Sequence, residues 1–225
     1  MAQLKGSAEF SEIQNEIEKV TSLCSEVQLN ESSNCGEAQK ETDNGLSVLH
    51  PSNISDPLPW DDYFMSLCLL TSARSKDPNT KVGACIVNFE KKIVGLGYNG
   101  MPRGIKDGEL PWDKTADEVF KTKYPYVCHA EMNAIMNCIG RNLSDCIIYV
   151  NKFPCPECAK LIIQSGIKKV MYMDPKLVFG IYDETYPSRK MFDCSGVTHC
   201  RFVPSVKKVT IDIQTPSKIP VFIEK

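Results

Sequence analysis

The sequence lacks long apolar runs, and it also lacks a marked excess of charge of either sign. No apolar stretch among its 225 residues approaches the roughly 18 residues that a membrane-spanning helix needs. The first ten residues lack the apolar core of a signal peptide. With 26 basic against 28 acidic side chains, the chain has no general electrostatic attraction to nucleic acid or anionic membranes. We therefore expect a cytoplasmic protein that binds neither membrane nor nucleic acid.

Cysteine, in contrast, is abundant, with 11 residues. An odd count in a chain of this size, with nothing that directs export, predicts reduced thiols rather than a disulfide framework. Four cysteines lie within apolar stretches and are expected to be buried as small hydrophobic side chains: Cys68, Cys85, Cys138 and Cys146.

The first 57 residues differ in composition from the rest of the chain. They carry ten acidic residues and three lysines, a net charge of −7. Residues 28–47 are rich in Ser, Asn, Glu and Gly, a composition that buries too little apolar surface to offset its ordering entropy. We predict a disordered acidic extension over 1–57, a folded domain over 58–205 and a C-terminal tail over 206–225. Apolar residues at helical spacing between 10 and 23 leave a short amphipathic helix as an alternative within the extension.

Hydrophobic periodicity predicts an α/β fold. A helix follows Pro57, and two strands then form a hairpin at 82–88 and 92–98. The remaining predicted elements are helices at 129–139, 155–165 and 187–194, and strands at 146–150, 167–173, 197–202 and 210–213, the last as an edge strand. Their alternation indicates a largely parallel sheet with helices on its faces, which the opening hairpin makes mixed.

Two short motifs carry the chemistry of the chain. His129-x-Glu131 and, further along, Pro154-Cys155-x-x-Cys158 together form the H-x-E…P-C-x-x-C signature of zinc deaminases. One imidazole and two thiolates supply three ligands to Zn²⁺ and leave the fourth tetrahedral position open, as in catalytic zinc sites. Alternatively, the two cysteines could form a redox pair, and His-x-Glu alone could be a chance match. The combination favours the zinc site, because each motif stands at the start of a predicted helix.

The predicted placement favours a shared site. Helix starts that follow parallel strands meet at one edge of the sheet, where ligand sites form. Cysteines three residues apart face the same side of a helix, so both sulfurs of Cys155 and Cys158 can reach one ion. Zinc lowers the pKa of a bound water to roughly 7. Glu131 would carry protons from that water to the amine group that leaves the ring carbon. We therefore predict hydrolytic removal of ammonia from a pyrimidine or purine.

Several longer stretches of the sequence indicate a particular family. Residues 74–78, 82–87, 97–104, 124–131 and 153–168 resemble the deoxycytidylate (dCMP) deaminases, over about 59–203. The resemblance implies a three-layer α/β/α sandwich with a mixed five-stranded sheet. It also implies zinc-dependent conversion of dCMP to dUMP, which supplies thymidylate synthesis. Homohexamers activated by dCTP and inhibited by dTTP are further implied.

The resemblance assigns roles outside the metal site. Asn99 would bind the sugar, with a turn residue as the alternative, because Asn-Gly is a strong turn former. Arg74 and Lys76 would hold the phosphate by charge-assisted hydrogen bonds, with a solvated helix end as the alternative. The backbone N–H of Ala130 would reach the ring carbonyl. Tyr126 or Tyr149 would stack on the base unless it is a core tyrosine, and the effector would lie at Gly100, Met101, Pro102 and Gly104.

The chain departs from the family pattern in two places. The acidic extension has no counterpart in the family core, and residues 174–182 replace a shorter, more polar segment beside the pocket. Some phage members of the family hold a second, structural zinc through histidines of the long loop. Residues 99–127 contain no histidine here, so the resemblance implies one zinc per subunit. Two other functions stay open: the same chemistry on a different amine, and a catalytically weak homologue that senses nucleotides or acts as a scaffold.

Overall fold

The structure is a computed structural model, and it describes residues 57–138, 140–174, 185–211, 213 and 221–224. The helices are α1 (Trp60–Ser72), α2 (Ala130–Met136), α3 (Pro156–Gln164) and α4 (Tyr186–Ser195), with a 3-10 turn at Val119–Lys121. The strands are β1 (Gly83–Val87), β2 (Ile93–Tyr98), β3 (Ile147–Lys152), β4 (Lys169–Asp174), β5 (Thr198–Arg201), β6 (Lys208–Ile211) and β7 (Val221–Glu224). The predictions for 1–56 and for most of the altered 174–182 segment lie outside the described residues.

Five strands form one mixed sheet in the order β2-β1-β3-β4-β5. Strand β1 pairs antiparallel with both β2 and β3, whereas β3, β4 and β5 run parallel. The predicted mixed five-stranded sheet is confirmed. The late strand was expected at the edge of this sheet, but β6 instead pairs with β7 in a separate two-stranded sheet, with Lys208 opposite Glu224.

Helices cover both faces of the sheet, which confirms the three-layer sandwich. On one face α1 packs Phe64, Met65 and Cys68 against strand residues that include Tyr149. On the other face α2, α3 and α4 bury a larger cluster against β1, β3 and β4. All five residues of β1 are buried, as expected for a strand covered on both faces.

The four cysteines predicted to be buried are buried, at Cys68, Cys85, Cys138 and Cys146. Burial raises the pKa of the Cys85 thiol to about 12. These thiols therefore stay protonated and act as small apolar side chains.

Helix α2 lies unusually close to the edge strand β2. A Cβ atom at Gly97 would overlap the backbone of Ala130 and Ala134, so only glycine permits this approach. The side-chain amides of Asn133 and Asn137 donate hydrogen bonds of 2.8 Å to the carbonyls of Tyr98 and Leu96. These contacts place the start of α2 over the end of β2.

Two glycines stop helices beside the sheet as the sequence indicates. Gly166 (φ 86°) follows α3 and Gly196 (φ 72°) follows α4, where left-handed backbone ends a helix at little cost to glycine. None of the helices in the described part of the chain has the length and apolar character needed to cross a bilayer.

Candidate active site

Two helix starts bring the predicted metal ligands together. His129 is the residue that precedes α2, Cys155 precedes α3, and Cys158 lies in the first turn of α3. The Nδ1 atom of His129 lies 3.3 Å from the Sγ atoms of both Cys155 and Cys158. All three donor atoms lie within 4.8 Å of one another. Within the described ranges, Cys128 does not belong to this cluster.

The spacing of these donors fits tetrahedral zinc. Bond lengths of about 2.0–2.3 Å imply donor-to-donor edges of about 3.6–3.8 Å, close to the 3.3 Å observed between nitrogen and each sulfur. A hydrogen bond from Cys158 lowers the pKa of the Cys155 thiol to about 3 against the opposing effect of burial, and His129 also lowers it. The same hydrogen bond, with burial, raises the pKa of Cys158. These shifts favour the thiolate form of Cys155, which is the form that binds a cation.

Glu131 lies in the first turn of α2 and is buried, with 4% of its surface exposed. Burial raises the pKa of its carboxyl group, although the charge of His129 opposes the shift. A carboxyl group with a raised pKa is suited to both accept and return a proton near neutral pH. Glu131 therefore has the environment expected of a general acid and base.

A cavity of about 430 Å³ opens in front of these residues. This volume lies within the range of about 300–1,000 Å³ that small-molecule sites occupy. Its wall combines residues from the start of α2, the end of β3 and the segment that follows it, and the loops at 73–82 and 99–127: Asp77, Thr80, Val82, Asn99, Lys114, Lys123, Tyr124, Val127, His129, Ala130, Glu131, Lys152, Phe153 and Cys155.

Comparison with known families identifies this arrangement. Residues 58–174 match the model of the cytidine and deoxycytidylate deaminase zinc-binding region. The chain belongs to the cytidine and deoxycytidylate deaminase family. The match contains all three candidate ligands and Glu131, and zinc is accordingly the metal of this deaminase domain.

Individual relatives agree with the family match. The human deoxycytidylate deaminase is 52% identical over 165 residues, which cover 73% of this chain and 92% of that protein. A probable deoxycytidylate deaminase of Drosophila melanogaster is 47% identical over 164 residues, 70% of this chain and 79% of the relative. The crystal structure of the cyanophage S-TIM5 dCMP deaminase with dCMP and dUMP is 27% identical. It covers 63% of this chain and 95% of that one, with a TM-score of 0.49.

Asn99 lines the deaminase cavity, but both of its amide hydrogens are used within the protein. Its Nδ2 atom donates to Asp77 Oδ2 at 3.1 Å and to the carbonyl of Thr80 at 2.9 Å. Its Oδ1 atom accepts from the backbone N–H of Val82 at 2.8 Å. The remaining lone pair on Oδ1 is thus the group through which the predicted sugar contact would act.

A buried ion pair that the sequence did not reveal underlies this network. Asp77 is fully buried, and the Nζ atom of the nearly buried Lys123 donates to its Oδ2 atom. Burial alone would raise the pKa of Asp77, but hydrogen bonds from Lys123 and from the N–H groups of Asn79 and Thr80 lower it. Asp77 therefore joins the loop at 73–82 to the loop at 99–127 as a carboxylate.

The predicted phosphate residues lie outside the cavity wall. Arg74 and Lys76 are exposed, and neither is among the cavity-lining residues. Lys76 Nζ instead forms an ion pair of 2.6 Å with Asp107 Oδ2. The lysines on the wall are Lys114, Lys123 and Lys152. The sequence did not single them out, because the folding of the long loop brings Lys114 and Lys123 there and Lys152 is simply the last residue of β3.

The two candidate stacking tyrosines occupy different surroundings. Tyr149 is a core residue under α1, where its hydroxyl donates to Asp61 Oδ1 at 2.6 Å. The hydroxyl of Tyr126 donates to the carbonyl of Phe120 at 2.9 Å. Tyr124, two residues earlier, is the tyrosine on the cavity wall.

The remaining predicted residues lie near the start of α2. Ala130 is the first residue of that helix and lines the cavity. Gly100 exchanges backbone hydrogen bonds of 3.0 and 2.8 Å with Cys128, the residue before His129. The loop that continues through Met101, Pro102 and Gly104 is therefore attached directly to the metal-binding segment.

Proposed function

We propose that the protein is a zinc-dependent hydrolase that converts dCMP and water to dUMP and ammonia. The observation that carries this function is the convergence of His129, Cys155 and Cys158 beside the buried Glu131, within a domain of the deaminase family. Relatives at about half sequence identity are deoxycytidylate deaminases. The dUMP product would supply thymidylate synthesis.

In this proposal His129, Cys155 and Cys158 hold one zinc ion per subunit. The chemistry that zinc supplies when bound is activation of water, whose pKa falls to roughly 7. Glu131 takes one proton from the attacking water and delivers it to the ring nitrogen, and it then takes the second proton from the hydroxyl group formed on the ring carbon and delivers it to the departing amine. Its burial and raised pKa support that role, because the carboxyl group must be deprotonated and reprotonated in one turnover.

The other predicted contacts complete the substrate site in this proposal. The backbone N–H of Ala130 binds the ring carbonyl, Oδ1 of Asn99 accepts a hydrogen bond from the sugar, and Tyr126 packs near the base. Arg74 and Lys76 are proposed to approach the phosphate from outside the cavity wall. Their exposure leaves them free to reorient, while the Lys76–Asp107 pair would have to open.

Ammonia release from dCMP by the purified, zinc-loaded protein tests the reaction. Glu131→Gln should lower kcat by about 10²–10⁴, since that is the usual contribution of a positioned general acid or base, while zinc stays bound. Deoxycytidine, CMP and dCTP serve as rival substrates. Equal rates for wild type and variant, or turnover only on a rival substrate, would exclude the proposed reaction.

We further propose that the enzyme is cytoplasmic, forms homohexamers, and is activated by dCTP and inhibited by dTTP through Gly100, Met101, Pro102 and Gly104. The backbone bridge between Gly100 and Cys128 supports a regulatory role, because an effector bound there would act one residue from His129 and three residues from Glu131. Native mass spectrometry tests the oligomer. Rates measured with added dCTP or dTTP test regulation, and unchanged rates with either nucleotide would contradict it.

A further inference from the structure

Three lysines line the cavity, and two of them are already neutralised. Lys123 pairs with the buried Asp77, and Lys152 Nζ lies 2.9 Å from Asp174 Oδ2. Lys114 is exposed at the cavity wall, and among the described residues no carboxylate pairs with it. Among the lysines of this wall, Lys114 is therefore the one whose ammonium group has no carboxylate partner in the described part of the chain.

The backbone that carries Lys114 is held in place on the preceding side. The Nδ2 atom of Asn79 donates to the carbonyl of Trp112 at 3.0 Å, and the N–H of Lys123 donates to the carbonyl of Asp113 at 2.9 Å. Asp77 organises both donors, since it accepts from the N–H of Asn79 at 2.8 Å and pairs with Lys123. The two residues before Lys114 are thus anchored to a network centred on the buried Asp77, whereas the Lys114 side chain itself is exposed.

We propose that Lys114 binds the 5′-phosphate of the substrate and so selects the nucleotide over the nucleoside. This inference rests on the proposed function, because it assumes a pyrimidine nucleotide in the cavity. A lysine is a strong point-charge partner for phosphate. The cavity also needs a free cation, since the charges of Lys123 and Lys152 are already engaged with carboxylates.

A held backbone with a long, exposed side chain suits this role. The rigid network sets where the ammonium group can reach, which limits the conformational entropy lost on binding. The long side chain can then close over a phosphate that enters from solvent. Arg74 and Lys76 do not line the cavity, so Lys114 is placed to contact the phosphate from the wall itself, whereas they would approach it from outside.

Affinity for the reaction product tests the inference without any catalytic step. Binding of dUMP to the zinc-loaded full chain is measured by isothermal titration, and the weaker binding of deoxyuridine by displacement of dUMP. Lys114→Ala should weaken dUMP about 10-fold or more, in line with loss of a charge-assisted hydrogen bond, and leave deoxyuridine unchanged. Lys114→Arg, which keeps the charge, should retain most of the dUMP affinity.

Two further variants make the comparison specific. Lys106→Ala removes an exposed lysine of the same loop that is absent from the cavity wall, and it should change neither affinity. Arg74→Ala tests the earlier assignment. An equal loss for dUMP and deoxyuridine in Lys114→Ala would overturn the inference, as would full dUMP affinity in that variant.

The outcomes also separate this inference from the proposed function. If the wild type deaminates dCMP while Lys114→Ala keeps its dUMP affinity, only the role of Lys114 is wrong. If the wild type neither deaminates dCMP nor binds dUMP, both the proposed function and the phosphate contact are wrong.

Discussion

Removal of the ammonium group of Lys123 is expected to destabilise the protein strongly. Lys123→Met keeps most of the side-chain volume but leaves the carboxylate of Asp77 buried without its charged partner. Asp77 would retain hydrogen bonds from Asn79, Thr80 and Asn99, which do not neutralise it. Breaking one partner of a buried pair typically costs about 3–5 kcal/mol.

This loss is large relative to the stability of a domain. Unfolding free energies are about 5–15 kcal/mol, and each kcal/mol shifts the Tm by about 2–4 °C at this size. The Tm of Lys123→Met should therefore fall by about 6–20 °C in thermal melts followed by circular dichroism. Lys121→Met is the matched control, since Lys121 forms only exposed pairs with Asp117 and Glu118 worth about 0–1 kcal/mol in total.

The pH dependence of the Tm provides a second test of this prediction. In the wild type the pKa of Asp77 is lowered from 3.8, so its stabilising contribution is present above that value and is lost only as the pH falls through the lower, folded pKa. In Lys123→Met burial should raise the pKa of Asp77. The cost of burying its unpaired carboxylate is therefore full at pH 7 and decreases as the pH falls toward 4, because the group becomes protonated. The gap in Tm between the two proteins should therefore narrow on acidification.

Two results would refute the reasoning. One is a Tm for Lys123→Met that matches that of Lys121→Met, which would mean that Asp77 is solvated or finds another partner. The other concerns the double variant Asp77→Asn/Lys123→Met, in which no buried charge is left unpaired. That variant should recover part of the lost stability, and additive losses would show that the pair is not coupled.

Two other predictions concern the metal and the position of α2. Cys155→Ser should fail to retain stoichiometric zinc on elemental analysis after dialysis, and a variant that kept one ion per subunit would exclude Cys155 as a ligand. Gly97→Ala should lower the Tm and reduce turnover, because a Cβ atom there overlaps the backbone of Ala130 and Ala134; Gly100→Ala, where a Cβ meets open space, should change the Tm far less. Equal Tm values for the two glycine variants would contradict the close packing of α2 on β2.

The metal centre was predictable from sequence because each half of it is local. His129 and Glu131 are two residues apart, and Cys155 and Cys158 are three apart, so each pair is placed by a single helix start. The strand–helix alternation then brings the two starts to one edge of the sheet. The five-stranded sheet was predictable for a similar reason, since hydrophobic periodicity within each element reports its burial.

The charged wall of the cavity was not predictable in this way. Asp77 and Lys123 are 46 positions apart, and their pairing depends on the path of the loop at 99–127, which has no periodic signal. A loop lysine also resembles any other lysine in sequence, so Lys114 could not be distinguished from Lys106 or Lys121. Arg74, assigned by resemblance alone, lies outside the wall, and its contact with phosphate stays a prediction.

Asn133 of α2 and Asn137, the residue that follows this helix, have a consequence for association between molecules. Strand β2 is an edge of the sheet, and an edge strand with free carbonyl groups offers a template on which another chain can pair and aggregate. The amides of Asn133 and Asn137 occupy the carbonyls of Tyr98 and Leu96, so an incoming strand would find these acceptors already taken. The helix that carries Glu131 in its first turn thereby also protects the exposed edge of the sheet from fibril-like growth.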